Sequence, residues 1–142
     1  MVEVRDDGVF DAPIDMIWKY LQDERPEVHS HRAIAGTKTL EENGNAVVQE
    51  MEFRNPDGKT TRKETWRTVM NPPKGFAMES LSGMTKGTKY AHRYTAQGSK
   101  TRVEVTGDFK MQGLDDIATK QAALALLAQF FEEDSASLRN YK

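Results

Sequence analysis

The sequence predicts an α+β fold in which a curved antiparallel sheet of seven strands wraps around one long C-terminal helix. Three observations carry this. Residues 33–111 are rich in Thr, Val, Phe and Tyr and are broken by turn signals at hairpin spacing. A short amphipathic helix headed by Pro13 precedes that stretch. After it, the run Ala122-Ala123-Leu124-Ala125-Leu126-Leu127-Ala128-Gln129-Phe130-Phe131 is apolar almost all round. Such a helix is expected to be deeply buried in its own fold or shared with a partner chain, and only a curved sheet is available to enclose it.

In order along the chain, Val2 to Phe10 reads as the first strand. In the next segment Pro13 suits a first helical turn, and Asp15 complements the helix dipole there. Ile14, Ile17, Trp18 and Leu21 follow the i, i+3, i+4, i+7 pattern of one buried face. The polar segment 23–30, with Pro26 at a helix-start position, is expected to form a second short helix. Asn43-Gly44, Asp57-Gly58, the loop 71–75, Ser82-Gly83 and Gly98-Ser99 then separate strands over about 33–42, 45–54, 60–70, 76–81, 88–97 and 100–111. Asp115 or Asp116 can cap the last helix, which runs to about Asn140, roughly 39 Å at 1.5 Å per residue.

Directly opposed residues of a hairpin face the same side of the sheet, so the strand assignments can be tested against one another. A two-residue turn at Asn43-Gly44 places Leu40 opposite Val47, Gly36 opposite Met51 and Ile34 opposite Phe53. Asp57-Gly58 places Met51 opposite Glu64, Gln49 opposite Trp66 and Phe53 opposite Arg62, with Glu52 and Lys63 as a solvated ion pair on the other face. Gly98-Ser99 places Tyr94 opposite Val103, His92 opposite Val105 and Tyr90 opposite Gly107. The three hairpins agree on which parity faces inward.

Composition narrows the function. At 142 residues the chain reads as one domain over residues 1–142, of a size that buries roughly 68–70% of its unfolded surface. The absence of cysteine excludes disulfides and thiol chemistry and fits a cytoplasmic location. The N-terminus lacks a basic stretch followed by an apolar one, so no signal peptide is expected, and no apolar run approaches the roughly 20 residues of a membrane span. Twenty basic residues against twenty-two acidic ones, with no block of one sign, argue against a nucleic-acid partner. No cofactor motif is present, and the assembly is expected to be a monomer or homodimer.

The run Val9-Phe10-Asp11-Ala12-Pro13-Ile14-Asp15-Met16-Ile17-Trp18, followed by hairpins and one terminal helix, resembles the START-like, Bet v 1-like superfamily, the polyketide cyclase/dehydrase and lipid transport group. The resemblance spans essentially the whole chain. It implies a helix-grip fold around a hydrophobic pocket, with lipid-, sterol- or polyketide-like ligands and, in a minority of members, cyclisation or dehydration. Where many members carry an aromatic-rich segment ending in Trp and Pro, this chain has Glu27-Val28-His29-Ser30-His31. No catalytic residue is implied.

The inward parity carries Lys38, Gln49, Arg62, Glu64, Ser80, Tyr90, His92 and Tyr94 among apolar neighbours. A few convergent polar groups in an apolar cleft are characteristic of a small-molecule site. The candidate ligand-binding residues are Gln49, Met51, Glu64, Trp66, Phe76, Met78, Tyr90, His92 and Tyr94 on the sheet, with Leu126, Leu127 and Phe130 on the helix. The leading reading is a protein that holds a small hydrophobic or amphipathic ligand in an internal cavity. An enzyme of cyclase or dehydratase type is the alternative, with His92 and Tyr90/Tyr94, or Glu64, moving protons. A chaperone-associated interaction module using the outer sheet face is the third. Against catalysis, Glu64 has a ready ion-pair partner in Arg62 or Lys38, and His92 in a hydrogen bond to a tyrosine or the backbone. His29 and His31 share a strand-face spacing but lack an assured third ligand, so no metal site is assigned. The acidic run Glu132-Glu133-Asp134 reads as a solvated helix face.

Overall fold

The structure, a computed structural model, describes residues 1–25, 28, 29 and 31–141. Seven antiparallel strands form one sheet: β1 (Val2–Phe10), β2 (Ile34–Asn43), β3 (Ala46–Arg54), β4 (Thr61–Asn71), β5 (Gly75–Ser80), β6 (Lys89–Gln97) and β7 (Lys100–Phe109). Their order is β1-β7-β6-β5-β4-β3-β2, so β1 and β2 are the two edges. Helix α1 (Ile14–Leu21) follows β1, and α2 (Asp116–Arg139) closes the chain. This is the helix-grip arrangement that the sequence predicts. The short helix expected over 23–30 falls partly on Pro26, Glu27 and Ser30, which lie outside the described residues.

Helix α1 starts directly after Pro13, with Asp15 in its first turn and Lys19 in its last, matching the dipole at both ends. Ile17 and Trp18 are buried as the periodicity requires. Tyr20, which that pattern omits, is buried more completely than Leu21. Helix α2 is capped by Asp115, whose side chain accepts from the Ala118 amide at 2.8 Å.

Of the two expectations for α2, deep burial in its own fold holds on one side of the helix. Thr119, Ala123, Leu127 and Leu138 form one buried line, and the helix packs principally on β1 and β7. Ala125 and Ala128 are exposed. The apolar character of the outward side is thus carried largely by alanines, whose small side chains leave little apolar surface in water.

The β3–β4 and β6–β7 registers are as predicted, including Met51 with Glu64, Gln49 with Trp66 and His92 with Val105. The β2–β3 register is not. The turn residues are Gly44 and Asn45, with Gly44 at φ +65, the first-position glycine of a tight hairpin. Asn43 therefore pairs with Ala46, Thr37 with Met51 and Gly36 with Glu52. Two irregularities, between Thr39 and Glu41 and between Ile34 and Gly36, each add one residue on β2 and restore Ile34 opposite Phe53. Leu40 sits in the first of these and is 50% exposed, and Lys38 is exposed as well. Neither belongs to the inner face, contrary to the predicted parity. On the outer face Lys63 reaches Glu50 at 3.8 Å, while Glu52 accepts from the Thr61 hydroxyl.

Candidate functional site

The inner face of β4, β5 and β6 carries a continuous series of rings. Trp66 meets Tyr90 edge-on at 5.7 Å, and Tyr90 stacks on Phe109 at 5.2 Å. His92 stacks on Phe76 at 4.4 Å with planes 15° apart, between Tyr90 at 5.6 Å and Tyr94 at 6.3 Å. Trp18 of α1 closes the series, edge-on to Tyr94 at 5.8 Å, and is fixed by its indole N–H, which donates to the Pro73 carbonyl at 2.9 Å. Alternation along antiparallel strands puts these rings on one side, and strand pairing brings them side by side.

Of the predicted ligand-binding residues, Trp66, Tyr94 and Leu127 are buried. Gln49, Met51, Phe76, Met78, Tyr90, His92, Leu126 and Phe130 are half-buried. Phe130 packs edge-on against the His31 ring at 4.7 Å. The Tyr90 hydroxyl donates to the Met78 sulfur at 3.0 Å.

Glu64 lies at one end of this face and is only 1% exposed. Its Oε2 accepts from the Arg62 guanidinium at 3.0 Å. Its Oε1 accepts from the Trp66 indole at 3.0 Å and the Thr85 hydroxyl at 2.9 Å. Ser80 and Thr85 hydroxyls lie 2.8 Å apart, and Ser82 accepts from the Thr65 amide. The loop after β5 reaches Glu64 because Gly83 adopts φ +88, and a Cβ there would stand 2.9 Å from Glu64 Cγ. The ion pair is with Arg62, as the sequence suggested, and each acceptor oxygen of Glu64 is in use. This is a buried polar plug that joins β4 to the loop after β5.

His92 is in a different condition. Its Nδ1 is the one buried side-chain nitrogen or oxygen among the described residues with no hydrogen-bond partner. The tyrosine or backbone partner weighed for it is not there. Burial pushes its pKa down to about 4, opposed by Asp134, so the ring is neutral near pH 7. Burial likewise raises the hydroxyls of Tyr90, helped by Glu64, and of Tyr94, helped by Asp134.

A second polar cluster lies between α1, α2 and the residues leading into β2. His31 Nδ1 faces Glu133 at 2.9 Å and its Nε2 faces Asp134 at 3.2 Å. Arg32 pairs with Glu133 at 3.1 Å, and Tyr20 donates to Asp134 at 2.6 Å. Burial alone would lower the His31 pKa, but Asp134 and Glu133 carry it above its ordinary value. Glu133 is held below the usual carboxylate range against its own burial, by His31 and Arg32. The solvated reading of the acidic run therefore holds for Glu132 alone, since Glu133 and Asp134 are turned inward. His29 does not share a site with His31; its Nε2 meets the Asp23 carbonyl at 2.7 Å.

The opposite face of the sheet bears a shallow depression of about 320 Å³ floored by Val69, Ala77, Ala91 and Thr106. Its rim charges are already paired, Arg67 to Glu79 at 3.1 Å and Lys89 to Glu79 at 3.7 Å. Among the described residues no helix is long and apolar enough to cross a membrane.

A curved antiparallel sheet gripping a terminal helix, with a ring-lined inner face, defines the helix-grip fold of the Bet v 1-like class. The chain belongs to the polyketide cyclase/dehydrase and lipid transport family, whose model matches residues 1–141. Among solved structures it is similar to the Zhui aromatase/cyclase of a Streptomyces strain, at 16% identity and TM-score 0.74, covering 96% of this chain and 90% of that one. It is similar also to Ara h 8.0201, at 12% identity and TM-score 0.76, covering 98% of each chain. The di-domain aromatase/cyclase StfQ of the steffimycin pathway matches at 14% identity and TM-score 0.74, with 98% of this chain over 50% of that one. No curated protein matches this chain.

Proposed function

We propose that the protein binds a small hydrophobic or amphipathic molecule against the inner face of the sheet, in a cavity bounded by β3–β6 and α2. The observation that carries this reading is the incomplete burial of the inner face. Met51, Phe76, Met78, Tyr90 and His92 point inward yet remain half-buried, while α2 makes its closest backbone approach to β1, away from the strands that bear them. Unbranched methionines beside a ring series suit an adaptable apolar contact surface. Membership of a family described by both cyclisation and lipid transport accords with such a pocket.

The electrostatics favour binding over proton transfer. With a pKa of about 4, His92 would be protonated in about one molecule in a thousand at pH 7, and effective general acids and bases titrate near the working pH. Glu64 is committed to Arg62, Trp66 and Thr85. The test is fluorescence titration with 8-anilinonaphthalene-1-sulfonate, together with native mass spectrometry of freshly purified protein. Saturable probe binding that weakens in Met78→Asp is expected. A folded protein that binds no apolar probe would refute the reading.

A further inference from the structure

We infer that His92 carries its proton on Nε2 and offers that N–H to the bound molecule, so that the ligand is an apolar compound bearing an uncharged acceptor oxygen of carbonyl type. The inference rests on the ligand-binding reading above and specifies the chemistry of the same site.

A neutral imidazole has one donor nitrogen and one acceptor nitrogen. Which is which follows from their surroundings. Nδ1 of His92 is enclosed and meets no polar atom. A proton placed there would be a buried N–H without an acceptor, an arrangement folded proteins almost never retain. An unfilled lone pair at the same position is the less costly state. The proton therefore resides on Nε2, which makes no hydrogen bond among the described residues and is not enclosed as Nδ1 is. The ring cannot turn freely to find another partner, since it is stacked on Phe76 at 4.4 Å with Tyr90 and Tyr94 on either side.

Of the hydroxyls that flank the ring, Tyr90 donates to Met78, so His92 and Tyr94 are the donors that the inner face leaves for a ligand. His92 thus supplies an uncharged donor in an apolar, aromatic surround. Such a donor selects an acceptor oxygen on a flat apolar body. The ring, neutral near pH 7, offers no counter-charge to a carboxylate.

Two measurements test this. Long-range ¹H–¹⁵N correlation spectra of the three histidine rings, with His92 assigned by its loss in His92→Gln, read the tautomer without any ligand. The Nε2–H pattern at pH 7 is expected. An Nδ1–H or imidazolium pattern overturns the inference. Affinity is then compared for 9-fluorenone and fluorene, which share a shape and differ in the carbonyl. Wild-type protein is expected to prefer the ketone by about fivefold, the size of one net hydrogen bond. The preference should vanish in His92→Phe and persist in part in His92→Gln, whose amide still donates. Equal affinity for the two probes in wild-type protein overturns the inference while leaving the binding site intact. If neither these nor 8-anilinonaphthalene-1-sulfonate binds, the ligand-binding reading itself fails, and the carbonyl assignment fails with it.

Discussion

The hydroxyl of Tyr20, on α1, donates to Oδ1 of Asp134, on α2, at 2.6 Å. The same carboxylate oxygen faces Nε2 of His31, just ahead of β2. One side chain thus ties together both helices and the segment that leads to the far edge of the sheet. It does so beside the ring series, close enough for its charge to act on His92 and Tyr94. The rings of the inner face are held on one side by Trp18, which is fixed on Pro73.

Tyr20→Phe removes the donor and little else, since the ring keeps its packing against Tyr141 and His29. Hydrogen bonds to charged groups contribute roughly 1.5–3 kcal/mol. Asp134 retains His31 and a quarter of its side chain is exposed, so a loss of about 1–2 kcal/mol in urea unfolding is expected. An unchanged midpoint would show that the Tyr20–Asp134 contact does not anchor α2.

The pH profile should separate two histidines of opposite sign. The His31 pKa is raised on folding from 6.5, so its stabilisation is complete below pH 6.5 and is lost as pH rises through the raised value. The Glu133 pKa is lowered from 4.5, so its share is present above pH 4.5 and is lost as pH falls through the lowered value. Their pairing is therefore strongest between pH 4.5 and 6.5. His92 runs the other way: its pKa falls from 6.5 to about 4, and its contribution, present above pH 6.5, is lost toward pH 4. Relative to wild type, His31→Gln should be most destabilised near pH 5.5 and approach parity in alkaline buffer. His92→Phe should gain on wild type as pH drops from 6.5 to 4, by on the order of 2–3 kcal/mol. Unfolding curves for the three proteins at pH 4.5, 5.5, 7.5 and 8.5 decide it, and parallel profiles would contradict both assignments.

The architecture was legible in the sequence because it depends on local signals. Two turns, at Asp57-Gly58 and Gly98-Ser99, place opposing residues correctly and so put Glu64, Trp66, Tyr90, His92 and Tyr94 on one face. The first hairpin turns one residue later than Asn43-Gly44 suggests, and the two bulges that compensate leave no compositional trace. Lys38 and Leu40 are exposed as a result. Tyr20 falls outside the stripe of Ile14, Ile17, Trp18 and Leu21, although a tyrosine beside such a stripe is a visible signal. Glu133 resembled any surface acid, for its partner His31 lies 102 residues away. The orphaned nitrogen of His92 is likewise a property of packing, which alternation alone does not report.

Gly8 of β1 faces α2 so closely that an added Cβ would stand 2.7 Å from the Phe131 ring, itself packed on Phe10 at 4.6 Å. Gly8→Ala should therefore cost about 1–3 kcal/mol by overpacking. Shortening the ring in Gly8→Ala/Phe131→Leu should recover much of that loss. Thermal melts of the two single variants and the double variant test the coupling. Strict additivity would mean that the helix shifts to make room.

Glu64 offers the sharpest contrast between two conservative-looking changes. Glu64→Ala strands the Arg62 guanidinium, the Trp66 indole N–H and the Thr85 hydroxyl, which all donate to it. Breaking a buried pair by removing one partner typically costs 3–5 kcal/mol, about the scale expected here. Glu64→Gln keeps an acceptor oxygen for the indole and hydroxyl but faces Arg62 with an amide, so roughly half that loss is expected. Thr85→Val deletes one donor and should cost about 1 kcal/mol. If Glu64 is a structural plug, ligand affinity per folded molecule will be unchanged in Glu64→Gln while its urea midpoint falls. A variant of wild-type stability with abolished binding would instead place Glu64 in contact with the ligand.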